Sequence, residues 1–468
     1  MAGDVLSDNG STLLRISGIK VKNLFGVFNH EILLKAKDRI TIIYGPNGYG
    51  KTIVLSMIEA LFSSKYGILQ TIPFDDMEIQ ISDGRTLVLT KGPSEDVTSR
   101  NKEEELPYLR ISLFSKNGKE IHNSPISMIS DLQHRFPLGA IEDMIPGLRR
   151  RGPEQWAYIP TGEELSLAEI IDRFGERLPF IDKELIRLRS HEKWFDDIKN
   201  SINITFIRTE RLRNLAPPTR NRREYQDSIQ FVSAVTEYSR ELGVLIQRNL
   251  AQYASLSQSR DRTFPFRLLE SEIQPSTTVN KVKTKLGQLE NKRKDLISTG
   301  LLGEEEKLDF STLQKMDESD IKVISVYADD VEEKLHVFDE LAKKIKLFLE
   351  LINSKFLNKQ VVIKGTEGFI IQTGSRMELS PAKLSSGEQH ELVLLYDLLF
   401  KVQEGSLILI DEPELSLHVY WQRQFLDDLS KITELSNFDV LIATHSPDII
   451  QDRDDLTVAL KGPDDVEI

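Results

Sequence analysis

Residues 40–52 read Ile40-Thr41-Ile42-Ile43-Tyr44-Gly45-Pro46-Asn47-Gly48-Tyr49-Gly50-Lys51-Thr52. The first five form a short apolar run, which is typical of a buried strand. The next eight fit the glycine-rich pattern of a phosphate-binding loop, and apolar residues at helical spacing follow Lys51. A strand, a glycine-rich loop and a helix in this order predict an α/β fold with an anion site at the start of the helix.

The loop residues have separate expected roles at a nucleotide. The backbone N–H groups of Asn47, Gly48 and Gly50 are predicted to point at phosphate oxygens, assisted by the positive end of the helix dipole. Lys51 is expected to reach the terminal phosphates, and the Thr52 hydroxyl is expected to bind Mg²⁺. The sequence therefore predicts ATP and Mg²⁺ as cofactors.

A second apolar run, Ser406-Leu407-Ile408-Leu409-Ile410-Asp411-Glu412, ends in two carboxylates. Its continuous apolar character predicts a strand that is buried in a parallel sheet. We expect Asp411 to contribute to the outer Mg²⁺ shell and Glu412 to polarise the attacking water. The alternative is that the two acids close a turn or cap a helix.

A short polar motif, Leu384-Ser385-Ser386-Gly387-Glu388, precedes apolar residues at helical spacing. Ser385 and the backbone N–H of Gly387 would then lie at a helix N-terminus, which is an anion site by its geometry. An ordinary helix cap is the alternative, with Ser386 as the capping residue and Gln389 completing a capping box. Both interpretations can hold together, because the cap builds the helix end that binds phosphate.

His445 follows a third apolar run, Leu441-Ile442-Ala443-Thr444. Its place at the end of the next strand after Asp411 and Glu412 predicts a contact with the γ-phosphate. A single histidine is more often structural, and this is the alternative.

The composition indicates a soluble globular protein larger than one ordinary domain, with 468 residues, 40% hydrophobic and 28% charged. The chain has no cysteine, which excludes disulfides and thiolate metal sites. No segment approaches the roughly 18 apolar residues of a membrane span, and the N-terminus lacks a signal-peptide pattern. We therefore expect a cytoplasmic protein with no membrane partner. The net charge of −13 disfavours attraction to nucleic acid but leaves a local basic groove open.

The pattern along the chain predicts three segments: an N-terminal ATPase lobe over 1–215, a helical insertion over 216–358 and a C-terminal ATPase lobe over 359–468. Strands are expected within 13–44, within 77–115 and at 361–363 and 368–371. Helices are expected over 224–259, 281–297 and 331–352, with a break at 263–266. The insertion serves either simple helix packing or docking of a partner.

Taken together, the motifs resemble those of the ATP-binding-cassette (ABC) ATPases. In that family the motif found here at 384–388 closes on the phosphate loop of another subunit, which implies two composite sites in a head-to-tail dimer. Leu384 follows Thr52 by 332 residues, a separation that resembles the SMC-like and OLD-like branches. In the OLD-like branch, which has similar wording at 411–418 and 443–447, the segment matching 414–418 crosses the dimer interface. The implied fold class is α/β: an ABC-type P-loop ATPase head of mixed sheet and helices, with an antiparallel β subdomain and a helical insertion.

One element departs from this family pattern. Cassette ATPases carry a glutamine that follows a strand of the first lobe and senses Mg²⁺ and the attacking water. Here Glu210 or Thr209 stands in its place. Glu210 is accordingly predicted at the metal site, and Gln70 is the weaker alternative. Three nearby arginines either contact phosphate or the interface, or lie in a solvated loop: Arg208, Arg211 and Arg213.

Two further groups carry weaker predictions. Phe25 and Phe28 lie in the region that contacts adenine in this branch, although core packing is at least as compatible with them. Asp75, Asp76 and Glu78 resemble a metal-nuclease strand only faintly, because the expected lysine is missing. We interpret them as a solvated loop and strand.

The effector is expected on a separate chain. OLD-family nucleases carry a Toprim domain after the cassette, whereas 23 residues follow His445 here. This arrangement resembles the ATPase subunits of bacterial anti-phage systems, of the AriA type in PARIS and the PtuA type in Septu. The resemblance implies a homo-oligomer of head-to-tail dimers or a hexamer, a separate Toprim-like nuclease, and a phage protein as trigger. The alternative is an SMC-like or DNA-repair ATPase that clamps DNA, while the long insertion disfavours a transport cassette.

Overall fold

The computed structural model describes residues 14–92, 108–126, 141–142, 144–151, 155–159, 163–166, 170, 174, 193–207, 213–215, 231–270, 279–303 and 318–462. The strands are β1 Ile16–Leu24, β2 Phe28–Leu33, β3 Ile40–Tyr44, β4 Asp76–Ile81, β5 Thr86–Gly92, β6 Tyr108–Phe114, β7 Glu120–Ile126, β8 Leu148–Arg150, β9 Gln155–Tyr158, β10 Glu163–Ser166, β11 Ile204–Ile207, β12 Arg213–Leu215, β13 Phe231–Ser233, β14 Lys359–Ile363, β15 Phe369–Thr373, β16 Glu378–Leu379, β17 Leu407–Asp411, β18 Asp439–Thr444 and β19 Thr457–Ala459. The helices are α1 Lys51–Phe62, α2 Tyr66–Thr71, α3 Lys193–Ser201, α4 Ala234–Glu270, α5 Val279–Ser298, α6 Glu318–His336, α7 Asp339–Lys355, α8 Ser386–Tyr396, α9 Val419–Gln422, α10 Phe425–Ser436 and α11 Pro447–Ile450.

Contacts divide the chain into two compact units. The first contains residues 1–210, 218–229 and 402–468, and the second contains 211–217 and 230–401. The division into two lobes and an insertion that the sequence predicts stays a prediction.

A parallel sheet in the order β11-β17-β18-β3-β19 organises the first unit. Its central strands are apolar on both faces because both faces are covered. On α1, Val54, Leu55 and Ile58 are fully buried and share one hydrophobic cluster with Leu409 and Leu441 of the sheet. Since all five strands are parallel, β3, β17 and β18 all end at the same edge.

An antiparallel sheet in the order β2-β1-β4-β5-β6-β7 completes the described part of this unit's core. Its strands alternate between buried and less buried positions, as in β4. This period of two lets one face join the core while the other stays polar. Asp76 and Glu78 lie on β4, as the predicted strand requires, and pair with Lys22 of β1. The α/β class is confirmed, with parallel and antiparallel strands beside helices.

The second unit combines long helices with the small sheet β14-β15-β16. Ion pairs join neighbouring helices: Arg267 of α4 pairs with Asp330 of α6, and Lys285 of α5 pairs with Asp329 of α6. The helix predicted over 281–297 is confirmed as α5, and the strands predicted near 361 and 369 are confirmed as β14 and β15.

The break predicted at 263–266 is wrong, because α4 continues through Pro265 to Glu270. A proline inside a helix removes one hydrogen bond and clashes with the preceding turn. Side chains bond to two carbonyls just before this turn: the Thr263 hydroxyl donates to Ser259 O (3.0 Å) and Arg267 donates to Arg260 O (2.7 Å). The predicted start at 224 is also wrong for the described residues, since 231–233 form β13 and α4 begins at Ala234.

The single helix predicted over 331–352 is likewise wrong, because α6 ends at His336 and α7 begins at Asp339. Phe338 between them is fully buried and packs on the Tyr253 ring, with centroids 5.3 Å apart. Asp339 contacts His336 Nδ1 at 2.6 Å from the first turn of α7. The apolar residues continue at helical spacing through this region, but the helix is broken where the Phe338 ring packs and where the Asp339 charge lies at the N-terminus of α7.

Close packing of α4 on the turn before β15 suggests a first experiment. A Cβ atom on Gly243 would lie under 3.0 Å from the Thr366 carbonyl oxygen. Overpacking by Gly243→Ala should cost about 1–3 kcal/mol. Alanine gains roughly 1 kcal/mol over glycine in a helix, so we expect a net loss in the free energy of unfolding of up to about 2 kcal/mol.

Gly287→Ala on α5 is the matched control, since no described atom lies within 4 Å of the position that its Cβ would take. This control should leave stability unchanged or raise it. Chemical denaturation of both variants measures the difference, and equal effects would contradict the close packing.

His30 on β2 is buried, and its Nε2 lies 2.8 Å from the Tyr49 carbonyl oxygen. Because a carbonyl only accepts, Nε2 carries the proton, and Nδ1 has no hydrogen-bond partner among the described residues. Burial lowers the pKa of His30 below the ordinary value of 6.5, although the hydrogen bond to Tyr49 opposes this. The native state therefore holds His30 neutral.

This lowered pKa predicts a pH dependence of stability. The unfolded chain takes up a proton on His30 before the native chain does, so the stability linked to His30 is present above pH 6.5. This stability is lost as the pH falls through the native pKa. His30→Gln keeps a donor for Tyr49 but does not titrate. The unfolding free energy of the wild type minus that of the variant should decrease from pH 8 to pH 5, as measured by urea unfolding. A difference that grows towards acid pH would contradict the assignment.

Candidate functional site

The glycine-rich loop links β3 to α1 through a left-handed backbone. Gly50 caps α1 with φ 81°, and Gly48 has φ 87°. A Cβ on Gly50 would lie 2.9 Å from Leu24 Cδ2, whereas the space around Gly48 is open among the described atoms. Residues with a Cβ rarely adopt these torsions, so glycine is required for this path. The loop leaves a cradle of N–H groups at a helix N-terminus, which fits a phosphate group.

Lys51 is buried at the start of α1, and its ammonium group is held by the loop. Its Nζ donates to Gly45 O (2.7 Å) and to Pro46 O (3.1 Å). These neutral acceptors do not compensate its charge as an anion would. The arrangement therefore suits exchange of the carbonyl groups for phosphate oxygens.

Thr52 and Asp411 meet at the edge where the parallel strands end. The Thr52 hydroxyl donates to Asp411 Oδ1 at 3.0 Å. A hydroxyl and a carboxylate side by side are oxygen ligands of the kind that Mg²⁺ prefers. Over the described part of the chain, no group of three His, Asp or Glu residues could hold a metal. A cation bound here would therefore need further oxygens from a phosphate ligand, which is usual for Mg²⁺.

Glu412 turns the chain sharply after β17. Its φ of 41° and ψ of 56° are left-handed, and its N–H donates to Ala443 O at 2.8 Å. A non-glycine residue in this region carries strain, which recurs at functional sites. The His445 ring lies close by, with Nδ1 3.9 Å from Glu412 Oε1. The structure thus brings both predicted catalytic residues together.

Glu414 begins the segment that the resemblance places at a dimer interface, and its role at this site within one chain was not predicted. Its carboxylate is buried, and Oε1 accepts from the Thr444 hydroxyl (2.8 Å) and from His445 N–H (3.1 Å). His445 Nδ1 lies 3.2 Å from the same oxygen. Glu414 therefore fixes the turn that carries His445. Its position in the sequence could have indicated this role. Glu414 follows Glu412 by two residues after β17, and β17 neighbours β18, the strand that precedes His445.

The motif at 384–388 belongs to the second unit, where Ser385 caps α8. Its side chain accepts from Glu388 N–H, and the Glu388 side chain accepts from Ser385 N–H, which forms a capping box. The predicted box of Ser386 and Gln389 is wrong, because Ser386 is already helical and Gln389 donates to Leu384 O instead. Only the residue with extended backbone before the first turn can aim its side chain at the free N–H groups.

The remaining predicted residues divide into three groups. Thr209, Glu210, Arg208 and Arg211 lie outside the described residues, as do residues 216–230. Their preceding strand β11 pairs with β17 as expected for this position. Gln70 is buried on α2, and Arg213 begins β12. Ser385 and Gly387 lie in the other unit from Lys51.

The two candidate adenine contacts differ in exposure. Phe25 has φ 55° and is 43% exposed beside the phosphate loop. Phe28 packs against the rings of His30 and Tyr49, with centroids 5.6 and 5.4 Å away. Phe28 therefore supports the loop, and Phe25 is the ring with a free face.

No helix among the described residues has the length and apolar character needed to cross a membrane.

Comparison with known proteins gives the following relatives. The Smc head domain of Pyrococcus furiosus, with an extended coiled coil and bound to the C-terminal domain of ScpA, is 11% identical. The alignment covers 96% of this chain and 94% of that one, with a TM-score of 0.32. The SMC head domain of Thermotoga maritima is 12% identical, with 96% and 95% of the chains covered and a TM-score of 0.31. Protein ea59 of Escherichia phage lambda is 40% identical over 70 residues, which span 15% of this chain and 13% of that protein.

A family model described as an AAA ATPase domain matches residues 15–450. This range includes the glycine-rich loop, the carboxylates that end β17, the motif that starts α8 and His445. The chain therefore belongs to the AAA ATPase domain family.

Proposed function

We propose that this protein binds and hydrolyses ATP with Mg²⁺. The observation that carries the proposal is the hydrogen bond of 3.0 Å between Thr52 and Asp411. It places a hydroxyl and a carboxylate beside the glycine-rich loop, with Glu412 next in the chain. The family supports the same conclusion, since the chain is an AAA ATPase domain.

The proposed binding mode uses groups that are already in place. The N–H groups of Asn47, Gly48 and Gly50 hold phosphate oxygens. Lys51 gives up its hydrogen bonds to the Gly45 and Pro46 carbonyls and binds the terminal phosphates instead. Thr52 and Asp411 hold Mg²⁺, which when bound neutralises charge on the phosphates. Glu210 stays a proposed additional metal-site residue.

Glu412 is the proposed general base for the attacking water. A carboxylate at the end of a strand beside the phosphate loop can accept a proton from water at hydrogen-bond distance. His445 is proposed to contact the γ-phosphate. Glu414 positions it through the Thr444 hydroxyl and the His445 N–H.

The site is proposed to be shared between two copies in a head-to-tail dimer. Ser385 and the N–H of Gly387 would bind the phosphate of a second copy from the start of α8. Three exposed apolar residues support self-association: Leu415 directly follows Glu414, Val419 and Tyr420 begin α9, and the three are 64%, 52% and 60% exposed. Exposed apolar side chains beside a polar site are typical of an interface.

The proposed biological role is an oligomeric sensor and scaffold of an anti-phage system of the AriA type. In this role the ATPase forms dimers or a hexamer, holds a separate Toprim-like nuclease and responds to a phage protein. The motif wording at 384–390 and 412–418 supports the proposal through its resemblance to those systems. An SMC-like ATPase that clamps DNA is the alternative, and the net charge of −13 disfavours it.

Glu412→Gln tests hydrolysis. Without the carboxylate the water loses its base, so turnover should fall by about 100-fold or more. ATP binding should persist because the loop is unchanged. Phosphate release and nucleotide binding measure the two effects. Glu434→Gln, an exposed carboxylate of α10, is the control and should behave as the wild type. Normal hydrolysis by Glu412→Gln would remove Glu412 from this role.

A mixing experiment tests the shared site. Lys51→Ala should lose ATP binding, and Ser385→Arg should block the partner's site by charge and bulk. Each variant alone should be inactive. A mixed dimer holds one intact site, formed by the loop of the Ser385→Arg copy and the α8 start of the Lys51→Ala copy. Random mixing in equal amounts makes half of the dimers mixed, and each mixed dimer has one of its two sites intact, so activity should recover towards roughly a quarter of the wild type. No recovery, with mixed dimers demonstrated, would contradict a shared site.

A further inference from the structure

The donors of Ser385 that a phosphate would use are already bound within the chain. Glu388 Oε2 accepts from the Ser385 backbone N–H at 2.9 Å and lies 2.9 Å from the Ser385 hydroxyl. The hydroxyl oxygen in turn accepts from Glu388 N–H at 3.4 Å. A carboxylate is an anion with acceptor oxygens, so it resembles the ligand proposed for this helix end. The Ser385 hydroxyl has one proton, so it cannot donate to the Glu388 carboxylate and to a phosphate at the same time.

Lys359 holds this carboxylate from the first position of β14. Its Nζ lies 2.8 Å from both oxygens of Glu388. Burial alone would raise the pKa of Glu388, but hydrogen bonds from Lys359 and Ser385 outweigh burial and lower the pKa. Glu388 is therefore charged at neutral pH. The neighbouring Lys355 and Glu391 are both buried and pair with each other, so they add no net charge.

We propose that Glu388 is a gate on the Ser385 anion site, and that Lys359 sets how strongly the gate closes. The proposal rests on the shared site proposed above. In the described state the gate is closed, because Glu388 occupies the hydroxyl and one N–H. A phosphate from a second copy must displace the carboxylate, which then keeps only Lys359 as its partner.

Because Glu388 and Lys359 carry opposite charges, neutralising one of them should have the opposite effect on phosphate binding from neutralising the other. Glu388→Gln keeps an oxygen that can accept from Ser385 N–H, so the helix cap survives, but it removes an anion that repels phosphate. Lys359 then stands uncompensated and favours phosphate. Lys359→Met leaves Glu388 uncompensated at the site and disfavours phosphate. A capping role alone would make both changes harmful, because both weaken the same helix end.

The test measures self-association of the full chain with Mg²⁺ and a non-hydrolysable ATP analogue, by sedimentation over a range of protein concentrations. The protein concentration at half association should fall by roughly threefold to tenfold for Glu388→Gln and rise by a similar factor for Lys359→Met, as expected for a partly exposed charge pair. The double variant should lie near the wild type. Lys359→Arg keeps the charge and should also match the wild type.

The outcomes separate the gate from the shared site. If the wild type associates with the analogue and Lys51→Ala does not, the shared site stands. Weaker association of Glu388→Gln in that case overturns the gate alone. If the wild type does not associate, the shared site and the gate fall together. If thermal unfolding shows that Glu388→Gln does not fold, Lys359→Met decides. Unchanged or stronger association of Lys359→Met overturns the gate. Weaker association of Lys359→Met supports the gate, provided that Lys359→Arg associates like the wild type.

Discussion

The hydrogen bond between Thr52 and Asp411 joins residues 359 positions apart, and the candidate site depends on it. It requires β3 and β17 to end at the same edge, although β18 lies between them in the sheet. A parallel arrangement is the only one that brings these three strand ends together. Shifting the β17 register by one residue would move Asp411 away from Thr52 and turn its side chain to the other face. The apolar packing of the sheet on α1 therefore sets the geometry of the polar site.

The polar residues at this edge then support one another in a short chain of contacts. Glu412 leaves the strand through a strained left-handed turn, and its N–H is fixed by Ala443 of β18. Glu414 returns to the same strand end and binds Thr444 and His445. Its second oxygen has no hydrogen-bond partner among the described residues. A buried carboxylate is costly unless it is well bonded. Glu414 therefore holds the His445 turn in place, and it also depends on that turn for its hydrogen bonds.

The sequence predicted the parts of the fold that local patterns determine. The loop at 45–52, the apolar strands beside it and the helix over 281–297 follow from motif and period alone, and the structure has them. Two of the errors in helix boundaries lie where residues distant in sequence meet. Arg267, two residues after Pro265, pairs with Asp330 of α6, and Phe338 packs on Tyr253 where the helix predicted over 331–352 breaks. The contact of Glu414 with Thr444 was not predicted because the two residues lie 30 positions apart.

Both halves of the proposed ATP site rest in a state in which their donors are satisfied without a ligand. Lys51 is held by carbonyl groups of its own loop, and Ser385 is held by Glu388. Binding phosphate is then an exchange of hydrogen bonds, whose net gain is much smaller than the energy of the new contacts. The gain is larger at Lys51, where a neutral acceptor is replaced by an anion, than at Ser385, where one anion replaces another. In the proposed dimer, nucleotide binding to the first unit should therefore precede engagement of the second unit of another copy, which makes the start of α8 the point at which association can be regulated.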